Sequence, residues 1–178
     1  MEGVMCRLDD ILISAPTMEE HITRVEMVLQ RLEKFAVRLK LSKCVFMQPS
    51  VNYLGYKVDS NGIHPLPEKV EAIDMAPVPT NVSELKSFLG LINYYGKFLP
   101  NLSTMLNPLH KLLQKDTPWL WSKECDKAFM ICKQKLTDTK LLVHYDVNKP
   151  LKIVCDASSY GLGSVISHDD TECNEQPI

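Results

Sequence analysis

Cys6-Arg7-Leu8-Asp9-Asp10-Ile11-Leu12-Ile13-Ser14 sets two adjacent carboxylates between two mainly apolar runs. An ionised carboxylate is costly to bury without a partner, so the pair belongs at an exposed turn. The flanking runs, Val4–Leu8 and Ile11–Ser14, are strand-like, and the stretch reads as a β-hairpin with Asp9 and Asp10 at its tip. Adjacent carboxylates on such a tip offer the hard oxygen ligands that Mg²⁺ prefers. Two such ions about 4 Å apart can clamp a phosphoryl transfer, which usually takes a further carboxylate from elsewhere in the fold. By spacing alone, a solvated acidic turn is the preferred reading.

Outward from the hairpin, Thr17-Met-Glu-Glu20 forms a capping box. Ile22, Val25, Leu29, Leu32, Ala36 and Leu39 follow at alternating three- and four-residue steps, one stripe of an amphipathic helix over Thr17–Leu39. Cys44–Phe46 and Val51–Val58 read as strands, and Asp59-Ser60-Asn61-Gly62 as a turn. Prolines 65, 67, 77 and 79 then punctuate the chain, placing a boundary near residues 64–66. A second capping box, Asn81-Val-Ser-Glu84, opens a helix whose apolar face is Val82, Leu85, Phe88, Leu89 and Ile92, with Gly96 as its expected C-cap. Leu102–Leu113 is a further helix with Pro108 at a turn or kink, and Ser122 starts another that runs to about Leu136. Trp119 and Trp121 fill a small core, and Leu151–Asp156 and Gly161–Ser167 are two strands around 157–160.

The composition of the 178 residues, 45% hydrophobic and 24% charged, is globular, and a net charge of −2 points to no class of partner. The local distribution is more informative. Between Arg24 and Lys57 there are seven basic residues against two acidic, whereas five acidic residues and no Lys or Arg follow from Asp156. The basic stretch reads as a solvated helix face or as a contact for phosphates. Six scattered cysteines without a Cys-x-x-Cys pair argue against a zinc site and fit a reduced, intracellular chain. Neither a signal peptide nor a membrane span is expected. His64, His110, His144 and His168 are dispersed, so no histidine-based catalysis is argued.

RLDDILISAP followed by EEHITRVEMVLQRLEKFAVRLKLSKCVF resembles the palm of reverse transcriptases from gypsy-like LTR retrotransposons. The resemblance continues collinearly through VNYLGYKVDSNGI, through the thumb-like ELKSFLGLINYYGKFLPNLS and through PLHKLLQKDTPWLWSKECDKAFMICKQKL of the connection. LKIVCDASSYGLGSVISH resembles the first hairpin of the family's RNase H domain. It implies an α+β fold in three pieces: the C-terminal part of a palm (1–64), a helical thumb (65–118), and a connection entering a truncated RNase H-like hairpin (119–178).

The resemblance further implies that Asp9 and Asp10 are the paired metal-binding aspartates of the polymerase centre. Asp156 matches the first carboxylate of the RNase H site, and Leu54, Gly55 and Tyr56 match the hairpin that grips the primer. Tyr94 and Tyr95 match thumb positions, while Phe88 and Leu89 are expected in the thumb core. Arg38, Lys40, Lys43 and Lys57 join the nucleic-acid-binding set. The implied cofactor is Mg²⁺ and the implied partner an RNA–DNA hybrid or template–primer, with no membrane partner.

The chain departs from the family in four places. It starts inside the palm, without fingers or the early strand that carries the third polymerase carboxylate. It stops soon after the first RNase H hairpin. Arg7 stands where the family has Tyr, two residues before Asp9 and expected on its face of the strand, where it would compete with a cation. Gly96 stands where the family usually has a basic residue. From these departures we expect a degenerate or truncated copy inactive by itself, or alternatively a retained nucleic-acid-binding module or one stretch of a longer polyprotein. We also expect the Thr17–Leu39 helix to lack part of its cover, the palm strands to leave open edges, and the thumb to be the most self-contained part.

Overall fold

A computed structural model describes residues 2–138, 141–158, 161–169 and 175–178. The chain separates into two compact units, 1–55 and 56–178.

The first unit begins with the acidic hairpin. Strands β1 (Val4–Arg7) and β2 (Asp10–Ile13) pair antiparallel, with Val4 opposite Ile13 and Arg7 opposite Asp10. The loop is therefore Leu8-Asp9, and Asp10 is the first residue of β2 rather than part of the tip. Leu8 takes φ 53° and Asp9 does not take a positive φ, the pattern of a II′-type turn, whose sense matches the twist of the strands. The hairpin base is closed by the Ser14 amide donating to the Gly3 carbonyl at 2.8 Å. Arg24 Nη1 donates to the Ser14 carbonyl at 2.6 Å.

Helix α1 spans Met18–Lys34 and is capped as the sequence indicates: Thr17 Oγ1 accepts from the Glu20 amide at 3.3 Å. It ends five residues before Leu39. Ala36 adopts φ 53°, the Ala36 amide donates to the Glu33 carbonyl and the Val37 amide to the Leu32 carbonyl, both at 2.9 Å. That is a Schellman closure with alanine in the place glycine usually takes. Periodicity continued past a stop that lacks the glycine signal. Of α1 only Val28 is buried; Ile22 and Leu29 of the apolar stripe stay exposed. Cys44–Phe46 is not a strand, and Leu41–Lys43 is a 3₁₀ turn. Strand β3 is Ser50–Tyr53.

The expected strand Val51–Val58 is interrupted. Leu54 (φ 46°) and Gly55 (φ 71°) both adopt left-handed backbone between β3 and β4 (Tyr56–Asp59). In the second unit, β4 pairs antiparallel with β5 (Gly62–Pro65), and β5 pairs with β6 (Leu142–Val143). The β4–β5 turn forms because Asp59 Oδ1 accepts from the amides of Asn61 at 2.9 Å and Gly62 at 3.2 Å. Gly62 is required by close approach: a Cβ there would lie 2.1 Å from the Leu142 carbonyl oxygen.

The proline-rich segment holds a helix that its prolines obscured. Helix α2 (Pro67–Asp74) starts with Pro67 at its first position, where a missing N–H costs nothing. Helix α3 spans Val82–Tyr94, with Asn81 Oδ1 accepting from the Glu84 amide at 3.0 Å. Gly96 is not its cap; the chain passes through Tyr95 into a 3₁₀ turn, Gly96–Phe98. Helix α4 (Leu102–Lys111) carries Pro108 inside it, and α5 (Lys123–Thr137) is capped by Ser122. Ile73, Leu85, Ile92, Tyr95, Leu109, Phe129, Cys132 and Leu136 are buried together in one core from α2 to α5, with Trp119 and Trp121 packed against it.

The chain ends in a sheet of order β7-β8-β9: Lys152–Ser158, Gly161–Asp169 and Glu175–Pro177. Both expected strands are present and longer than anticipated, and β9 adds a third. Residues 159–160 and Cys173 lie outside the described residues.

Candidate functional site

Asp9 and Asp10 both lie exposed at the hairpin end, one in the turn and one opening β2. Arg7 is opposite Asp10 in register. The expected shared face of Arg7 and Asp9 does not arise, because alternation holds only along a strand and Asp9 has left it. Tyr53 Oη donates to the Asp10 carbonyl at 3.4 Å, a tie from β3 to the hairpin. No spacing along the chain reveals that contact, since its partner lies 43 residues away.

Arg38, Lys40 and Lys43 are all exposed, in the segment that follows α1 rather than on the helix itself. The early end of α1 leaves Arg38 off the helix, while Arg24, Arg31 and Lys34 remain on it. Within the first unit Arg38, Lys40 and Lys43 share one short segment, and the two aspartates are adjacent at one hairpin end, Asp9 in the turn and Asp10 on β2.

In the second unit, Tyr56 and Lys57 open β4. Tyr56 is the centre of an aromatic cluster. Its ring stacks on Tyr94 (centroids 5.1 Å, 9°), meets Tyr95 edge-on at 5.8 Å and approaches Phe98 at 5.9 Å. Its hydroxyl donates to the Tyr94 carbonyl at 3.0 Å. That carbonyl is one of the four at the end of α3 without an intrahelical donor. Burial, with the Tyr94 contact second, pushes the Tyr56 phenol up to about 12. The Lys97 ammonium sits 3.7 Å above the Tyr56 ring centroid. Lys97 escaped the sequence reading; the available signal was a lone basic residue set among Tyr94, Tyr95 and Phe98. Phe88 and Leu89 are buried, as expected of core positions.

Asp156 lies exposed on β7 opposite Gly163, and its Oδ1 accepts from the Ala157 amide at 2.9 Å. The histidines that look dispersed in sequence converge in part. His64 Nε2 lies 3.0 Å from Asp59 Oδ2, and His144 Nε2 lies 2.7 Å from the Asp59 carbonyl. Asp59 is held below its usual carboxylate range, first by the Asn61 amide and also by His64. His168 is buried, with Nδ1 2.9 Å from the Pro150 carbonyl and Nε2 accepting from the Asp146 amide at 3.0 Å. Both ring nitrogens are used structurally.

The donor chemistry of Asp9, Asp10 and Asp156 suits a hard cation, but number and grouping do not complete a site. Among the described residues, no three His, Cys, Asp or Glu side chains come together to hold a metal ion. No helix among them is long and apolar enough to cross a membrane.

An acidic hairpin, a set of helices and a terminal antiparallel sheet follow one another along the chain, and two family matches fall at its two ends. Residues 3–58 match the reverse transcriptase (RNA-dependent DNA polymerase) family, and residues 121–178 match the RNase H-like domain found in reverse transcriptase. The chain belongs to the reverse transcriptase–RNase H region of retrotransposon polyproteins. The Transposon Tf2-3 polyprotein of Schizosaccharomyces pombe is 37% identical over 169 residues, covering 94% of this chain and 13% of that protein. The Tf2-7 polyprotein of the same organism is 36% identical over the same length. The chain thus spans about 13% of the length of these relatives.

Among solved structures, the foamy viral protease-reverse transcriptase in complex with dsDNA matches with a TM-score of 0.83 and 25% identity, over 99% of this chain and 37% of that one. The same foamy viral protein in complex with an RNA/DNA hybrid matches with a TM-score of 0.81 and 25% identity, over all of this chain and 24% of that one.

Proposed function

We propose that the chain is the palm end (1–64), thumb (65–118), and connection with the start of the RNase H-like domain (119–178) of an RNA-directed DNA polymerase. Asp9, Asp10 and Asp156 are its contributions to two metal centres, and the 178 residues alone perform neither reaction. The observation that carries this reading is the exposed hairpin end, where Asp9 and Asp10 have no third metal-ligating group with them among the described residues. Two-metal phosphoryl chemistry needs both ions fixed by a full set of ligands. In the intact parent protein Mg²⁺ is the cation these carboxylates serve. The test is primer extension and hybrid cleavage with the purified 178-residue chain and Mg²⁺. Neither is expected, and either would overturn the reading.

A second, compatible reading is that this stretch binds nucleic acid in its own right. Its support is the exposed Arg38–Lys43 segment together with Lys57 and the nucleic-acid complexes formed by the structural neighbours. Leu54, Gly55 and Tyr56 are then the turn beside the primer strand. Phosphate contacts release counterions, so affinity for an RNA–DNA hybrid should fall steeply with salt. A gel-shift series over salt concentration tests it, and failure to bind at low salt removes it.

A further inference from the structure

We propose that Lys97 is a positioning residue that fastens the start of β4 to the end of α3, so that Lys57, the neighbour of Tyr56, meets a nucleic-acid strand in fixed register. The proposal rests on the nucleic-acid-binding reading above and assigns a role within it to a residue that the sequence analysis gave none.

The argument starts from Tyr56. Its hydroxyl donates to the Tyr94 carbonyl at the last residue of α3, and its ring stacks on the Tyr94 ring. A tyrosine engaged at its hydroxyl and stacked on a second ring is a fastening rather than a platform for an unpaired base. Lys97 completes it. Its ammonium lies 3.7 Å from the Tyr56 centroid and 5.4 Å from that of Phe98. A cation at this distance over a ring is attracted by the ring's negative face. Lys97 also follows the C-terminus of α3 within one turn, where positive charge is favoured. Desolvation at this position draws its pKa down, in keeping with an ammonium pressed onto a ring rather than extended into water.

The glycine before Lys97 supports the same geometry. A Cβ at Gly96 would lie 2.8 Å from Leu102 Cδ2, so this turn is packed closely against the start of α4. The 3₁₀ turn Gly96–Phe98 sets Lys97 over Tyr56 while Phe98 and Leu99 enter the core.

The experiment uses the full chain and a labelled RNA–DNA hybrid. First, proton NMR of the unaltered chain should show the Lys97 ε-methylene shifted upfield by the Tyr56 ring, and Tyr56→Leu should abolish the shift. Absence of that shift overturns the proposal without any hybrid. Second, Lys97→Met should weaken hybrid binding roughly fivefold, the loss expected for one cation–π contact. The slope of log affinity against log salt should stay unchanged, and Lys97→Arg should restore affinity. A slope reduced by about 0.9 would make Lys97 a direct phosphate contact and overturn the positioning role, as would wild-type affinity in Lys97→Met. Failure of the unaltered chain to bind hybrid, with the upfield shift present, overturns the nucleic-acid reading instead and takes the register role with it.

Discussion

Arg7 and Asp10 face each other as the last pair of the β1–β2 hairpin, immediately before the Leu8-Asp9 turn. The residue that stands where the family has Tyr is therefore matched to the second aspartate rather than the first. Opposite charges directly across an antiparallel pair contribute about 0.2–1 kcal/mol. Arg7→Ala should lower amide-exchange protection across Val4–Ile13 by an amount in that range, and the difference should shrink at high salt.

The turn itself carries strain. Leu8 is 92% exposed and left-handed, so its side chain gains no packing to offset a conformation that costs an L-residue about 1–2 kcal/mol. Leu8→Gly should raise hairpin protection by about 0.5–1 kcal/mol, after the greater backbone freedom that glycine loses on folding. Lower protection in hydrogen exchange would count against the II′-type turn.

The closure of α1 makes a parallel prediction. Ala36 takes the left-handed position of a Schellman motif, where glycine is preferred. Ala36→Gly should stabilise the first unit by about 1 kcal/mol, read as a higher denaturation midpoint with unchanged slope.

In the second unit, Gly62 and Phe129 test the packing from two directions. A methyl group at Gly62 meets the Leu142 backbone, and Gly62→Ala should cost about 3 kcal/mol. Phe129 is almost fully buried between Phe88 and Trp121, and Phe129→Ala should cost about 3–5 kcal/mol. Thermal or denaturant unfolding of both variants measures these losses.

Acid should loosen the β4–β5 turn. The folded carboxyl of Asp59 titrates below its reference value of 3.8, because it accepts the Asn61 amide and faces His64. A group with a depressed folded pKa contributes stability that is complete above the unfolded value and is lost as pH falls through the folded one. Protection of the Asn61 and Gly62 amides should therefore decline below about pH 4. Asp59→Asn should flatten that dependence, and an unchanged acid profile in the variant would remove Asp59 as its cause.

Local signals were legible wherever a side chain answers its own backbone. Thr17, Asn81 and Ser122 cap their helices as the sequence indicates, because a capping bond needs only three residues of chain. The acidic hairpin was legible for the same reason, apart from the placement of Asp10. Helix α2 was hidden, since proline at the first turn looks the same whether it breaks a helix or begins one. The end of α1 was hidden because Ala36 occupies a left-handed position, and the break at Leu54-Gly55 because Leu54 does so beside a single glycine.

The sequence by itself determined the acidic hairpin, the helix starts capped by Thr17, Asn81 and Ser122, the apolar face of α3, and the family, since these rest on near neighbours and on residue identity. Tertiary structure alone decided that Tyr53 reaches Asp10, that His64 and His144 both meet Asp59, and that Lys97 covers Tyr56. Each of those contacts joins residues that chain folding brings together from distant positions or across separate elements. No spacing rule encodes them, because their geometry is set by how strands and helices pack rather than by the steps along the chain.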